Sequence, residues 1–200
     1  MILFGASGHA KVIIDILEKQ GVEVGFLVDA NPEIKSLQSY RVINESEIDS
    51  YLLDQEIIIS IGDNKIRKEL SEQLKSEFGW AVHPSSILGD DVTIGQGTVI
   101  MAAAVVNSST EIGNHAIINT ACSIDHDCSI ADYVHISPNA TLCGTVTVGE
   151  GTHIGAGATI APNLSIGEWA TIGAGTVIIK DVPDRAVVVG NPGRMIRYNE

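Results

Sequence analysis

Basic side chains are scarce in this chain. Twelve Lys and Arg face 25 Asp and Glu over 200 residues, a formal net charge of −13, and no Lys or Arg occurs between Ser76 and Ile179. Such acidity repels a phosphate backbone or an anionic lipid surface, which disfavours a nucleic-acid or membrane-surface role. Aromatics are few as well, with two Trp, four Tyr and three Phe. Three Cys cannot all pair, so the chain reads as a reduced, cytoplasmic protein. No secretory leader is visible, and the apolar run from Lys11 to Leu17 is broken by Asp15, so no membrane span is expected. What remains is 44% hydrophobic, enough for a real core in one large domain or two small ones.

The first eighty or so residues read as alternating strands and helices. Met1 to Phe4 is a short apolar strand, followed by Gly5-Ala6-Ser7-Gly8-His9 and a helical Val12, Ile13, Ile16, Leu17 pattern. Val24 to Val28 is a second strand ending at Asp29. Glu56 to Ile61 is a third, ending at Gly62-Asp63-Asn64 before a helical Ile66, Leu70, Leu74 stripe. Asn44 with Glu47 three residues on predicts a capped helix over 45–53. The βαβαβα order implies a small parallel, Rossmann-like sheet over residues 1–79.

From Val82 the period becomes six. Apolar anchors recur without a slip at Val82, Leu88, Ile94, Ile100 and onward to Ile172 and Ile178. Small or medium residues stand two positions before each, among them Ala104, Cys122, Cys128, Ala140 and Ala158. An array of this kind is the signature of a parallel β-helix, in which no repeat can bury its apolar face alone. If three hexapeptides close one triangular coil, equivalent residues stack at about 4.8 Å. A narrow prism of Ile, Val and Ala leaves no room for rings, which accounts for the missing aromatics. Gly95, Gly113, Gly149, Gly155, Gly167 and Gly173 follow anchors and are expected at corners with unusual torsions. Residues 80–200 are thus expected to form a β-helix with a C-terminal cap, and any site lies on its outer edges or between subunits. Cys122 and Cys128 fall on inward positions as core thiols, and no cysteine nucleophile is supported.

The glycine loop, Ile61-Gly62-Asp63-Asn64-Lys65-Ile66-Arg67, the hexapeptides, Asn119-Thr120, Asp125-His126-Asp127 and Gly190-Asn191-Pro192 together resemble the sialic-acid O-acetyltransferase-like sugar acyltransferases. The likeness is nearest to those that N-acetylate a UDP-4-amino-sugar on the route to bacillosamine. That resemblance implies a left-handed β-helix, a homotrimer with sites between subunits, acetyl-CoA as donor and a nucleotide sugar held by the N-terminal domain.

His126 is the candidate general base, because acetyl transfer from a thioester requires a proton to leave the attacking amine or hydroxyl. Asp125 and Asp127 flank it, and the resemblance assigns the supporting carboxylate to Asp127, where the family usually has Glu. A solvated polar corner is the plain alternative. The resemblance further implies that His135 and Gly144 place the thioester, that Ala156, Pro162 and Gly173 line the cofactor, and that Asn119 faces the acceptor sugar. His135 and His153 also permit an exposed histidine ladder, or zinc ligation of the kind seen in hexapeptide carbonic anhydrases; no metal is expected. Ser7, Gly8 and His9 carry over as pyrophosphate and sugar contacts, at a glycine turn feeding a helix N-terminus. Asp29 and Gly62 close their strands toward the nucleotide, although Asp29 before Asn31-Pro32 also suits an ordinary turn. Ala30 stands where the family often has a second acid. Lys180, Arg185, Arg194 and Arg197 arrive together after the cation-free stretch, as a basic end for the phosphates of coenzyme A or as a solvated cap.

The sequence therefore points to acetyl-CoA-dependent N-acetylation of a UDP-amino-sugar. O-acetylation of a sialic acid or another sugar is the alternative chemistry, and a non-catalytic nucleotide-sugar-binding or assembly module the alternative class.

Overall fold

The computed structural model describes residues 1–48, 55–74 and 76–200. Strand β1 (Ile2–Phe4) leads into helix α1 (Gly8–Gln20), then β2 (Phe26–Asp29), β3 (Ser36–Leu37), β4 (Tyr40–Asn44), β5 (Ile57–Ile59) and α2 (Asn64–Gln73). The sheet order is β3-β4-β2-β1-β5. Strand β1 is central and parallel to both β2 and β5, in register Leu3 to Leu27 and Leu3 to Ile58. All three residues of β1 and of β5 are buried, as continuous apolar runs in a parallel sheet require.

Three features of this domain differ from the sequence reading. An antiparallel β3–β4 edge hairpin is present, its two-residue turn held by Gln38 at φ 52° rather than by the Asn-Gly that would have announced it. The helix expected over 45–53 is a 3₁₀ turn, Glu45–Glu47, with Asn44 accepting from the Ser46 amide; residues 49–54 lie outside the described set. Of the Ile66, Leu70, Leu74 stripe, Leu70 and Leu74 pack half-buried against the sheet cluster, but Ile66 does not, and the most deeply buried position of α2 is polar. Ile66 is 45% exposed, whereas Arg67 is 1% exposed. The helix turns Asn64, Arg67, Lys68 and Ser71 inward, four positions that share one face.

From Ala81–Val82 onward, two-residue strands stack in parallel into three sheets that form the β-helix. Registers such as Ile117 with His135 and His135 with His153 place equivalent residues one coil apart. Both inward positions are filled as the period predicted: Ala140 with Leu142 and Ala158 with Ile160 are fully buried, as is Cys122. The chain closes with the strands Ala186–Val189 and Arg194–Tyr198, which pair antiparallel over the top coil.

The corner torsions do not fall on the glycines expected. Positive φ recurs three residues after the anchors from Leu88 to Ile172, at Ala103, Ser109, His115, Ala121, Asp127, Tyr133 and their equivalents. The glycines immediately after the anchors serve close approach instead. A Cβ on Gly155 would lie 2.5 Å from the Ile172 carbonyl oxygen of the next coil.

Because the prism core is one continuous cluster, truncating a single inward anchor opens a cavity that neighbouring coils cannot fill. Leu142→Ala is expected to cost roughly 2–5 kcal/mol in urea-induced unfolding.

Candidate active site

Each coil has three corners, and the candidate residues divide between two of them. His126, Asp127, Gly144 and Pro162 follow the strands Ser123–Ile124, Thr141–Leu142 and Thr159–Ile160 on one edge. Asn119, Ala156 and Gly173 follow Ile117–Ile118, His153–Ile154 and Thr171–Ile172 on another.

On the first edge, His126 Nδ1 lies 2.7 Å from Asp127 Oδ2, so the shorter Asp reaches the imidazole. Asp127 adopts φ 58°, the left-handed corner torsion, which turns its carboxylate back to the preceding ring. Asp125 Oδ1 accepts from the His126 amide and from Asn107 Nδ2, fixing the backbone beneath. The hydrogen bond to Asp127, with the charge of Asp125, raises the His126 pKa above the ordinary histidine value. Both His126 and Asp127 side chains are 59% exposed. With Nδ1 engaged, Nε2 keeps the free lone pair. Gly144 is buried beneath this ring, and a Cβ there would lie 2.8 Å from Nε2. Its lack of a side chain both seats the imidazole and leaves Nε2 open.

On the second edge, Asn119 Oδ1 accepts from the Thr120 amide, so its Nδ2 donates to His135 Nε2 at 3.0 Å. His135 also makes a hydrogen bond to the Gly62 backbone. The two bonds select a neutral ring with Nδ1–H donating. His135 and His153 stack at 4.8 Å between centroids, and His153 Nε2 meets Ser137 Oγ at 2.7 Å. Burial first, then His153 and Arg67, lowers the His135 pKa to about 3. Among the described residues, no three His, Cys, Asp or Glu side chains gather closely enough to hold a metal ion.

The nucleotide-end residues stand where β1, β2 and β5 finish. Gly5 takes φ 110° and lets the first loop press on the third; Ser60 Oγ donates to the Phe4 and Gly5 carbonyls across the gap. Ser7 is the N-cap residue of α1 with no side-chain cap bond, and positions 8 and 62 face open space where a Cβ would stand. Asp29 is partly committed: Oδ2 accepts from the Ala6 amide at 2.8 Å and Oδ1 from Asn31 at 2.9 Å. Each oxygen retains acceptor capacity. His9 Nε2 is buried without a hydrogen-bond partner, and burial followed by the Arg67 charge lowers its pKa to about 4.

The four terminal cations are not one basic end. Arg185 and Arg197 line a groove of about 1060 Å³ shared with Gly62, His153 and Trp169. Lys180 and Arg194 line a separate groove of about 420 Å³ with Ile178 and Gly193.

Sequence reasoning assigned no role to Arg67 or His115. Arg67 spans the two domains, as its hydrogen bonds to the carbonyls of Gly62 and Tyr133 show. His115 is 2% exposed, stacked on Tyr133 with Phe78 at its edge. The available signal was the polar spacing Asn64, Arg67, Lys68, Ser71, which an apolar-stripe reading of α2 passes over.

A glycine-loop α/β unit docked on a hexapeptide prism defines an acyltransferase architecture, and comparison with known proteins narrows it. The PglD N-terminal domain family matches residues 1–74, and the bacterial transferase hexapeptide (six repeats) family matches residues 145–180. A point mutant of perosamine N-acetyltransferase from Caulobacter crescentus, solved with CoA and GDP-perosamine, superposes with a TM-score of 0.92 at 32% identity, over 98% of this chain and 96% of that one. The acetyltransferase domain of PglB from Neisseria gonorrhoeae, solved with acetyl coenzyme A, gives 0.89 at 33% identity over 98% of both chains. UDP-N-acetylbacillosamine N-acetyltransferase of Bacillus subtilis (strain 168) is 37% identical over 109 residues, half of this chain and half of that protein. The chain belongs to the hexapeptide-repeat sugar acetyltransferases with a PglD-type N-terminal domain.

The histidines separate into two kinds, which an NMR titration resolves. His126 is expected to titrate above the ordinary histidine range and to fall toward it in Asp127→Asn. His9, His115 and His135 are expected to stay neutral down to about 4, 4 and 3. Below the ordinary histidine value of 6.5 the unfolded chain binds protons that these three refuse, so stability falls as pH drops from there toward about 4. Gly144→Ala is expected to displace the His126 ring and cut turnover while the thermal midpoint changes little.

Proposed function

We propose that the protein transfers the acetyl group of acetyl-CoA directly to the amino group of a nucleotide-activated sugar, in a ternary complex, with His126 as general base. The observation that carries this reading is the His126–Asp127 pair: an exposed imidazole, oriented by a carboxylate at 2.7 Å, with Nε2 open over Gly144. The amine nitrogen attacks the thioester carbonyl carbon, and His126 Nε2 takes the proton lost as the C–N bond forms. The tetrahedral intermediate expels the CoA sulfur, and the imidazolium returns that proton to the thiolate. Asp127 stabilises the imidazolium between the two steps.

Acetyl-CoA draws on both edges, with Gly144 and Pro162 on the first and His135, Ala156 and Gly173 on the second. His135 and Gly144 place the thioester, and Ala156, Pro162 and Gly173 line its course. Lys180 follows Val177–Ile178, the strand stacked on Thr159–Ile160, so its groove continues the edge that carries Gly144 and Pro162, and Lys180 and Arg194 are assigned the CoA phosphates. Double replacement of Lys180 and Arg194 by Ala is expected to raise the KM for acetyl-CoA about tenfold, whereas Arg185→Ala should leave it near the parent value.

At the acceptor end, Ser7, Gly8, His9, Asp29 and Gly62 hold the nucleotide and Asn119 faces the sugar. The buried, unpartnered His9 Nε2 supports a ligand contact there. We assign the acceptor as a UDP-4-amino-sugar; the related enzymes' names cite UDP in one case and GDP in another. Since the candidate residues occupy two prism edges, a thioester reaching both His126 and His135 lies between copies of the chain, which favours a homotrimer.

Release of CoA thiol from acetyl-CoA, measured with UDP- and GDP-amino-sugars and free sialic acid, tests the reading. Thiol release is expected with a UDP-4-amino-sugar and is expected to drop by about 10²–10⁴-fold in His126→Ala with acetyl-CoA binding retained. Release with sialic acid alone would replace it by O-acetylation, and silence with every acceptor by a binding module.

A further inference from the structure

Arg67 is the largest fully buried side chain among the described residues, and it is a cation. Its guanidinium donates through Nε to the His115 carbonyl (2.7 Å), through Nη1 to Ile61 (3.1 Å) and Gly62 (3.3 Å), and through Nη2 to Tyr133 (2.8 Å) and Asn64 Oδ1 (2.9 Å). Two of these acceptors belong to the β-helix and three to the loop after β5 and the start of α2. No carboxylate lies within ion-pair distance of it among the described residues. A buried charge satisfied only by neutral dipoles keeps a large desolvation cost that an apolar lock of similar volume would avoid. Among these residues no carboxylate contact neutralises its positive field, and Asp63 offsets it only from beyond ion-pair distance.

That field has a direction. The Gly62 carbonyl that receives Nη1 also bonds His135, so a single peptide unit joins the guanidinium, the loop at the nucleotide end and the ring assigned to the thioester. His9, His115, His135 and His153 all feel the Arg67 charge, and for each burial is the larger cause and Arg67 adds to it. Asp63, which caps α2, and Tyr133 are the groups that act back on the arginine.

We propose that Arg67 is a positioning residue that registers the acceptor loop against His135 and supplies a buried positive charge that draws an anionic diphosphate into the cleft. The proposal rests on the acetyltransferase reading for the identity of the ligand. Its hydrogen bond to Gly62 and the effect of its charge on His135 stand independently of that reading. Arg67 reaches substrate only through Gly62 and through its field, so it takes no proton and forms no bond in the reaction.

The experiment compares the parent protein with Arg67→Lys and Arg67→Met. Circular dichroism and thermal unfolding establish which variants fold. UDP and acetyl-CoA are then titrated calorimetrically, and the histidines are followed by NMR. In Arg67→Met, UDP affinity is expected to fall at least tenfold with acetyl-CoA affinity unchanged, and His135 is expected to begin titrating at a higher pH. Arg67→Lys keeps the charge while losing the fork, so it should recover part of the UDP affinity. A folded Arg67→Met that binds UDP like the parent, with His135 unshifted, overturns the proposal. Should Arg67→Met not fold, Arg67→Lys decides: UDP affinity and His135 titration both at parent values overturn it. Should the parent bind no UDP, the acetyltransferase reading of the ligand fails instead, and the His135 shift alone judges the positioning role.

Discussion

Every coil of the prism must turn through a left-handed residue, and that torsion aims the residue's carbonyl outward, away from the ladder of coil-to-coil hydrogen bonds. Along the corner of His115, Tyr133, Gly151 and Trp169, no backbone N–H reaches these carbonyls among the described residues. Side chains take their place. Arg67 binds His115 and Tyr133, Asn64 Nδ2 binds Gly151 at 3.0 Å, and Asn199 Nδ2 binds Trp169 at 2.9 Å. The N-terminal domain docks here because it satisfies acceptors that the fold itself exposes. Lys68 adds an ion pair with Glu150 and lies over the Tyr133 and Trp169 rings, while Ser71 Oγ meets the Tyr133 hydroxyl. Elsewhere the contact is apolar, with α1 and β1 sharing one cluster with Ala81, Val99 and Ile117.

This explains which parts of the structure the sequence discloses. The six-residue period follows from a purely local rule, one inward anchor and one inward small residue per strand, and it is readable at every repeat. The orientation of α2 follows from acceptors more than forty residues away, as the 48-residue separation of Arg67 from His115 illustrates. A hydrophobic-stripe argument assumes that a helix buries only its apolar side, whereas α2 packs Leu70 and Leu74 on the sheet and turns a polar face to a row of carbonyls. Glycine after an anchor is visible in the sequence, but its reason is contact between coils, not torsion. Likewise the four late cations are adjacent in sequence while the closing hairpin separates them into two grooves.

The site histidines show how one residue type acquires opposite properties from placement. His126 sits on an exposed edge beside two carboxylates, which favours the imidazolium and makes the neutral ring a better proton acceptor. His135 lies beneath the docked domain, between Gly62, Asn119 and the His153 ring, with a buried guanidinium nearby; it is held neutral and serves as a fixed donor and acceptor. The Asp-His-Asp triplet was legible because its chemistry is contained within three residues. The neutrality of His135 was not, because it depends on α2 and on Arg67.

The division of the candidate residues between prism edges also constrains how catalysis is assembled. Within one chain, the faces that meet at the His126 edge are the outer sides of two sheets whose outward residues are small and largely uncharged, such as Ser123, Thr141, Ser129 and Thr147. The His135 edge borders the sheet covered by the N-terminal domain. The rigid prism core separates the two edges and cannot flex to bring them together. Under the proposed reading, a base on one edge and an acceptor held over the other meet the same thioester where a second copy presents its complementary edge. On that reading, the same rigidity that fixes His126 over Gly144 leaves a single chain without a complete site.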